Sequence, residues 1–260
     1  MGPKKPFNLL WNGFIVRQAL IQKHLQIETF YSSQRKFTTD LYMRIHLKLT
    51  SNIILVPFDH LPVLVGTIHK WLGINELHDS PSLYSFSWLS DGKSGERGLD
   101  FPKGTSFFIS SFDKTIIKQL VHGIQLDPTI NFGLCVREII LQETPNFGSK
   151  AYFKVASPVL AKRKLDQGEK HYLYTEIETD TLLTQTLQTK LREAGLSAEG
   201  VTVRFDRDYP LARIKKVNYK RIGNKASLCP VIVEGSPEQV AFAWNVGIGN
   251  STGIGFGALL

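Results

Sequence analysis

Apolar and polar residues alternate over residues 44–49, and this period of two predicts a β-strand with one buried face. A helix is predicted next, because apolar residues recur at helical spacing over residues 61–72 and Gly73 supplies a stop. Pro57 and Asp59 stand just before it and open the helix. The folded part of the chain is therefore expected to begin with a strand followed by a helix.

The following elements complete a familiar order. Runs rich in β-branched and aromatic residues at 83–89 and 105–110 predict two strands. Asp113 is a predicted N-cap for a helix that Gly123 ends, and residues 134–142 return to a strand pattern. The order β-α-β-β-α-β is that of the ferredoxin-like domain.

The second half of the chain partly repeats this order. We predict an α+β protein with two tandem ferredoxin-like (βαββαβ) domains, at residues 43–148 and 149–260, after an N-terminal extension over residues 1–42. The predicted elements of the second half are a strand at 153–156 followed by a basic loop, a helix at 181–194 capped by Asp180, a strand at 200–205, a hairpin of 213–222 and 226–234 turning at Gly223-Asn224, a helix from Ser236 with Pro237 at its first position to about Val246, and a last strand at 256–260.

Residues 1–42 carry six basic and two acidic residues and no small-residue cleavage site of a secretory signal. One interpretation is a basic amphipathic helix from Leu9 to Leu25 that lies on a membrane surface. The other, which we favour, is that the fold starts at Met43 and that the first 42 residues are foreign to it.

Composition narrows the class of partner. The 260-residue chain has a formal net charge of +8 and a pI near 9.4, which indicates an anionic partner, either nucleic acid or an acidic membrane face. Cys135 and Cys229 are too far apart for a CxxC motif, and no HExxH is present, so neither a disulfide framework nor a metal or other cofactor is expected. No apolar run is long enough to span a membrane, and a cytoplasmic location is expected.

The sharpest local signal is a run of five glycines between residues 247 and 257. Such a loop lets the backbone approach a ligand closely and point N–H groups at an anion. It is neither a P-loop nor a dinucleotide-binding fingerprint, because no Gly-Lys-Ser/Thr follows and no helix comes after it. A simple turn between a helix and an edge strand is the alternative. The five glycines are Gly247, Gly249, Gly253, Gly255 and Gly257.

Three segments together resemble the RAMP superfamily, and in particular its branch of CRISPR repeat-processing endoribonucleases. The first is the helix followed by the glycine-rich run. The second is Ala156-Ser157-Pro158-Val159, and the third is Val56-Pro57-Phe58-Asp59-His60 followed by Gly66-Thr67-Ile68-His69. The resemblance extends from Met43 to Leu260. It implies a metal-independent endoribonuclease that cleaves precursor crRNA and leaves 2′,3′-cyclic phosphate and 5′-hydroxyl ends.

Two histidines are the candidate catalytic residues. Cleavage by the neighbouring 2′-hydroxyl needs a base and an acid, and histidine suits either role because its unperturbed pKa is about 6.5. His78 stands where the resemblance puts the catalytic histidine. His69 stands where many members have tyrosine, and no supporting lysine follows His78. The alternatives are that His78 is an ordinary surface residue and that His69 is half-buried on a helix face.

A basic hairpin is the candidate RNA-binding element, because residues 209–233 contain six basic residues and no acid. Tyr219 is placed to stack on a base. The alternative is a solvated edge hairpin whose lysines discourage aggregation. The six residues are Arg213, Lys215, Lys216, Lys220, Arg221 and Lys225, and a weaker second patch contains Lys162, Arg163 and Lys164.

Two functions remain open after these arguments. The first is the endoribonuclease that binds CRISPR repeat RNA and cleaves precursor crRNA. The second is a non-catalytic RNA-binding RAMP subunit of a CRISPR interference complex, for which the basic hairpin and the glycine-rich run serve equally well. RNA is the expected partner in both, with no membrane. Subunits of an interference complex and a second copy of the chain in a homodimer are further candidate partners.

Overall fold

The structure is a computed structural model that describes residues 42–73, 82–166 and 168–260. The predicted fold class is confirmed: the fold is α+β, with antiparallel sheets and helices arranged as two tandem ferredoxin-like domains. The predicted domain boundaries and the assignment of residues 1–42 as an extension stay predictions. Within the described ranges, no helix has the length and apolar character that crossing a bilayer requires.

The elements are named in chain order. They are β1 (Tyr42–Leu49), α1 (Leu61–Leu72), β2 (Tyr84–Phe86), β3 (Lys93–Ser94), β4 (Leu99–Asp100), β5 (Ser106–Ser111), α2 (Lys114–Leu126), β6 (Val136–Glu143), β7 (Lys150–Phe153), β8 (Ala161–Leu165), β9 (Gly168–Tyr172), α3 (Glu178–Glu193), β10 (Thr202–Phe205), β11 (Arg213–Tyr219), β12 (Ile222–Leu228), β13 (Val231–Glu234) and α4 (Pro237–Val246), followed by a short 3-10 turn (Thr252–Ile254).

The first sheet has the antiparallel order β2-β5-β1-β6, with α1 and α2 packed into the same core. The alternation of β1 produces this packing, because Ile45, Leu47 and Leu49 are fully buried while the residues between them point to the other face. Asp113 caps α2 as predicted, and its carboxylate accepts a hydrogen bond from the Thr115 backbone N–H at 2.7 Å.

Gly123 does not end α2, which continues to Leu126. A Cβ at position 123 would collide with the backbone of Trp71 in α1. The glycine therefore allows α1 and α2 to pack closely. Gly123, which was predicted to end the helix, instead serves the contact between the two helices.

The second sheet has the order β10-β13-β7, and the segment around Leu259 extends it beyond β7. The predicted last strand at 256–260 is reduced to a bridge between Leu259 and Val155, with the Ala156 N–H donating to the Ala258 carbonyl at 2.8 Å. At the start of α4, Ser236 and Gln239 form a capping box, and Pro237 takes the first helical position as predicted.

Helix α3 begins at Glu178 rather than after Asp180. The Asp180 carboxylate is used elsewhere, because it accepts from the Phe205 backbone N–H at 3.0 Å and from both terminal nitrogens of Arg207. Asp180, predicted as the helix cap, instead connects α3 to the end of β10 and the residues after it through these hydrogen bonds.

Two hairpins extend the second domain. Strands β8 and β9 form one, so the predicted basic loop after residue 156 is partly a strand. Strands β11 and β12 form the other, and its turn lies at Lys220-Arg221 rather than at Gly223-Asn224. Both turn residues have positive φ, 47° and 69°, as a tight two-residue hairpin turn requires. The Gly223-Asn224 dipeptide does not form the turn, because Gly223 pairs with Asn218 within the β11–β12 ladder.

Candidate nucleic-acid interface

The β11–β12 hairpin displays its six cations to solvent: Arg213, Lys215, Lys216, Lys220, Arg221 and Lys225 are all exposed. Val217 and Ala226 of the hairpin are buried in the core of the first domain. The hairpin belongs to the second domain in sequence but packs on the first. Lys216 and Lys225 lie on the face opposite to these buried residues, Arg213 and Lys215 project beside the buried residues, and Lys220 and Arg221 form the turn.

The charge of the hairpin is not neutralised within the described part of the protein. Among the described residues, none of the six cations forms an ion pair with a carboxylate. Lys216 and Lys225 even stand directly opposite each other across the two strands. Like charges in that position destabilise a hairpin, and phosphate groups of a nucleic acid would relieve the repulsion.

The second predicted patch differs from the hairpin. The Lys162 ammonium pairs with the Glu169 carboxylate at 3.0 Å. The Arg163 guanidinium hydrogen-bonds the Gln185 side chain. Lys162 is thus paired with a carboxylate and Arg163 with a neutral amide, while Lys164 is exposed and forms no ion pair in the described chain. This patch offers less free charge to RNA than the hairpin does.

The glycine-rich loop is packed inside the protein rather than displayed. Gly247, Gly249, Gly253, Gly255 and Gly257 are all buried, and a Cβ at each of them would collide with a neighbouring segment. The loop also hydrogen-bonds its surroundings, with the Asn250 N–H donating to the Leu160 carbonyl at 2.7 Å and the Gly257 N–H donating to the Pro158 carbonyl at 2.9 Å. Close packing therefore explains these glycines, and their predicted direct contact with RNA stays a prediction that this burial does not favour.

The loop holds the start of the segment around β2. The Tyr84 hydroxyl donates to the Gly253 carbonyl at 3.2 Å, and the Thr252 hydroxyl donates to the Ser82 carbonyl at 3.4 Å. Trp88 adds a bond from its indole N–H to the Gly255 carbonyl at 2.9 Å. The loop therefore holds Ser82, Tyr84 and Trp88 in place through hydrogen bonds to its backbone and to Thr252.

The side chain of Lys190 in α3 hydrogen-bonds the glycine-rich loop. Nothing in the sequence distinguished this residue from a solvent-exposed helix lysine. Its ammonium donates to the carbonyls of Val246 and Gly247, each at 3.4 Å, and to the Thr252 hydroxyl at 3.0 Å. No carboxylate in the described chain pairs with it, and burial lowers its pKa to about 7. A buried cation therefore depends here on backbone dipoles and one hydroxyl.

Lys190 is expected to make stability depend on pH. Its pKa is about 7 in the folded state against an ordinary 10.5, so between these values the unfolded chain binds more protons and the free energy of unfolding rises with pH. Lys190→Met keeps the length of the side chain, and it should lower the slope of the unfolding free energy against pH by the equivalent of up to about one bound proton. Urea unfolding at pH 7 to 10 measures it, with the exposed Lys103→Met as control; equal slopes in all three proteins would contradict the assignment.

Arg44 connects the two domains and was also missed, because the alternation of β1 places it on the face predicted to be polar. Its guanidinium lies between the rings of Phe108 and Trp244, 3.9 and 3.5 Å from their centroids. It donates to the Trp244 carbonyl at 3.1 Å and to the Leu259 carbonyl at 2.9 Å. Burial lowers its pKa to about 9, so it stays charged at neutral pH. At Arg44, the polar face of the first sheet is therefore covered by the second domain.

Of the two candidate catalytic histidines, the structure describes only His69. His78 lies outside the described residues. His69 lies half-buried in the last turn of α1, where its carbonyl accepts from the Gly73 N–H at 3.1 Å. His60 has an orienting role at the helix start, because its Nδ1 bonds the Pro57 carbonyl at 2.8 Å and burial lowers its pKa.

Comparison with known proteins gives a family-model match for the second half of the chain. Residues 141–259 match the family model described as "CRISPR associated protein Cas6, C-terminal". No curated protein sequence matches the chain.

Solved structures match the fold over most of the chain. The structure of the product of a Cas6-related gene from Pyrococcus furiosus is similar, with a TM-score of 0.74 and 23% identity, over 84% of this chain and 98% of that one. A RAMP protein binding different RNA substrates has a TM-score of 0.72 and 21% identity, over 84% and 98%. A Cas6 product complex has a TM-score of 0.60 and 13% identity, over 84% and 100%. The chain therefore shares its fold with these Cas6 and RAMP structures, and its residues 141–259 match the Cas6 C-terminal family model.

Proposed function

We propose that this protein binds CRISPR repeat RNA and cleaves precursor crRNA as a metal-independent endoribonuclease. The observation that carries the proposal is the basic hairpin, whose six exposed cations have no carboxylate partner in the described chain although two of them face each other. The match to a Cas6 C-terminal family model supports RNA as the anion that this hairpin binds, because structures of similar fold include an RNA-binding RAMP protein and a Cas6 product complex.

The proposed reaction uses the RNA itself as the nucleophile. The 2′-oxygen upstream of the cut attacks phosphorus and gives its proton to a histidine base, while the bond from phosphorus to the 5′-oxygen breaks and that oxygen takes a proton from a histidine acid. The products are a 2′,3′-cyclic phosphate and a 5′-hydroxyl. His78 and His69 are the proposed pair, and the step requires no metal and no cofactor.

The position of α1 supports this assignment. Helix α1 carries His69 in its last turn and ends at Gly73, which leads directly into the segment with His78. On the far side of that segment, Ser82 is bonded to the glycine-rich loop. The described residues on either side of positions 74–81 are therefore held by hydrogen bonds of the fold, Gly73 at the end of α1 and Ser82 at the glycine-rich loop.

Cleavage is expected to persist in EDTA, because the proposed chemistry needs only proton transfer. The purified protein is incubated with repeat RNA and excess EDTA, and the ends of the products are analysed. A cut that requires an added divalent ion would contradict the mechanism.

A repeat RNA with a single 2′-deoxyribose just upstream of the cut is expected to bind with unchanged affinity and to remain intact, because its nucleophile is missing. The control carries the same substitution elsewhere in the repeat and should be cleaved normally. If both RNAs are cleaved, the 2′-hydroxyl is not the nucleophile. If the wild-type protein binds unmodified repeat RNA tightly and never cleaves it, the protein is a non-catalytic RNA-binding subunit instead.

A further inference from the structure

A small cavity lies between the start of α1 and the basic hairpin, and the proposed reaction does not use it. Its volume is about 150 Å³, roughly the space of five water molecules in the liquid. That is room for one planar ring rather than for a drug-sized ligand or a base pair. Residues 58–61 line one side and residues 216–218 of β11 line the other, with Trp88 between them.

Two aromatic side chains give the cavity stacking surfaces. Phe58 is 56% exposed, although a phenyl ring gains nothing from water at that position. Trp88 is partly buried, and its indole N–H is already bonded to the Gly255 carbonyl at 2.9 Å. That bond fixes the indole ring in place. A fixed ring beside an exposed ring is an arrangement that suits an unstacked nucleobase.

The polar groups of the cavity have free hydrogen-bonding capacity. Asp59 is exposed and forms no ion pair within the described chain, and the Asn218 side chain makes no hydrogen bond there. His60 also lines the cavity and is 8% exposed. Since its Nδ1 bonds a carbonyl, Nδ1 carries the hydrogen, and Nε2 is an acceptor without a donor among the described residues.

The charge around the cavity points to a nucleotide of RNA. Lys216 lines the cavity and stands opposite Lys225 in the hairpin, so positive charge is concentrated at the mouth. The His60 Nε2 atom is enclosed by the protein, so the exposed Asp59 carboxylate is the acceptor suited to an exocyclic amino group, which adenine, cytosine and guanine carry and uracil lacks.

We propose that this cavity is a nucleobase pocket for one unpaired RNA base that bears an exocyclic amino group. The base stacks on Phe58 and Trp88, Asp59 and Asn218 hydrogen-bond its edge, and Lys216 contacts its phosphate. The proposal rests on the proposed function, since it takes RNA as the ligand. His60 and His69 are nine residues apart along α1, or about 13 Å at the helical rise, so the pocket reads a position within a few nucleotides of the proposed cut.

The test compares two variants whose predicted effects differ in kind. Short single-stranded oligo(A), oligo(C) and oligo(U) are titrated against the full chain, with fluorescence anisotropy as the readout. Phe58→Ala should weaken the binding of all three by roughly 5- to 100-fold, because stacking is tolerant of sequence. Asp59→Asn should leave oligo(U) binding nearly unchanged and reduce the preference for oligo(A) and oligo(C) over oligo(U) by about tenfold.

The controls are an exposed apolar and an exposed acidic residue elsewhere, Leu126→Ala and Asp166→Asn, which should bind all three RNAs like the wild type. Unchanged thermal unfolding shows that the variants fold, as expected for exposed side chains. If Phe58→Ala and Asp59→Asn bind like the wild type while neutralising the hairpin weakens binding, the pocket is refuted and the proposed function stands. If the wild type binds no RNA of any kind, both are refuted.

Discussion

Replacing His78 by alanine is expected to slow cleavage of repeat RNA by roughly 10²- to 10⁴-fold, the usual contribution of a positioned acid or base. RNA affinity should stay nearly unchanged, because proton transfer matters in the transition state while ground-state binding comes from the basic hairpin. Single-turnover cleavage and a binding titration on the same variant separate the two quantities. His69→Ala should give a similar or smaller loss, and the wild-type pH–rate profile should fall on both the acidic and the basic side.

The matched control is His122→Ala, since His122 is exposed on α2 and has no part in the proposed reaction. This variant should cleave at the wild-type rate. If His78→Ala cleaves normally and His69→Ala does not, His69 is the main catalytic group. If the double variant also cleaves normally, the chemistry lies with other residues and the assignment of both histidines is refuted.

The fold was predictable wherever one local pattern decided the structure. The alternation over residues 44–49 set the buried face of β1, and Ser236 with Pro237 set the start of α4. Such signals depend on neighbours in the sequence, so one chain is enough to interpret them.

Prediction failed where a distant segment determined the role of a residue. Gly123 looked like a helix stop, but Trp71 of α1 is what requires it. Arg44 looked solvent-exposed because the alternation of β1 cannot show that the second domain covers that face. Lys190 looked like an ordinary helix lysine until the end of α4 and the glycine-rich loop supplied its acceptors.

The candidate site divides in the same way. The cations of the hairpin could be identified from composition alone, because an acid-free run of six basic residues needs no tertiary information. The glycine-rich run carried the resemblance to a family, and its close approaches in the structure are to protein, while its predicted contact with RNA stays a prediction. His78 was chosen by resemblance, and the described residues leave that choice to experiment.

Neutralising the hairpin with the triple substitution Lys215→Ala, Lys216→Ala and Lys220→Ala is expected to weaken RNA binding strongly at low salt. Each lost phosphate contact should flatten the dependence of log affinity on log salt by up to about one unit, so the loss shrinks as salt rises. The fold should tolerate the change, because all three side chains are exposed and the repulsion between Lys216 and Lys225 disappears. Binding titrations across a salt series measure both effects.

A triple variant at Lys93, Lys103 and Lys118 is the matched control, since it removes the same total charge from exposed positions outside the hairpin. A general electrostatic attraction between a basic protein and RNA would weaken equally in both triple variants. A phosphate-binding hairpin predicts a flattened slope in the hairpin variant alone. Equal slopes of log affinity against log salt in the two variants would mean that RNA does not lie along β11. That result would also remove the reason for placing a phosphate at Lys216, beside the proposed base pocket.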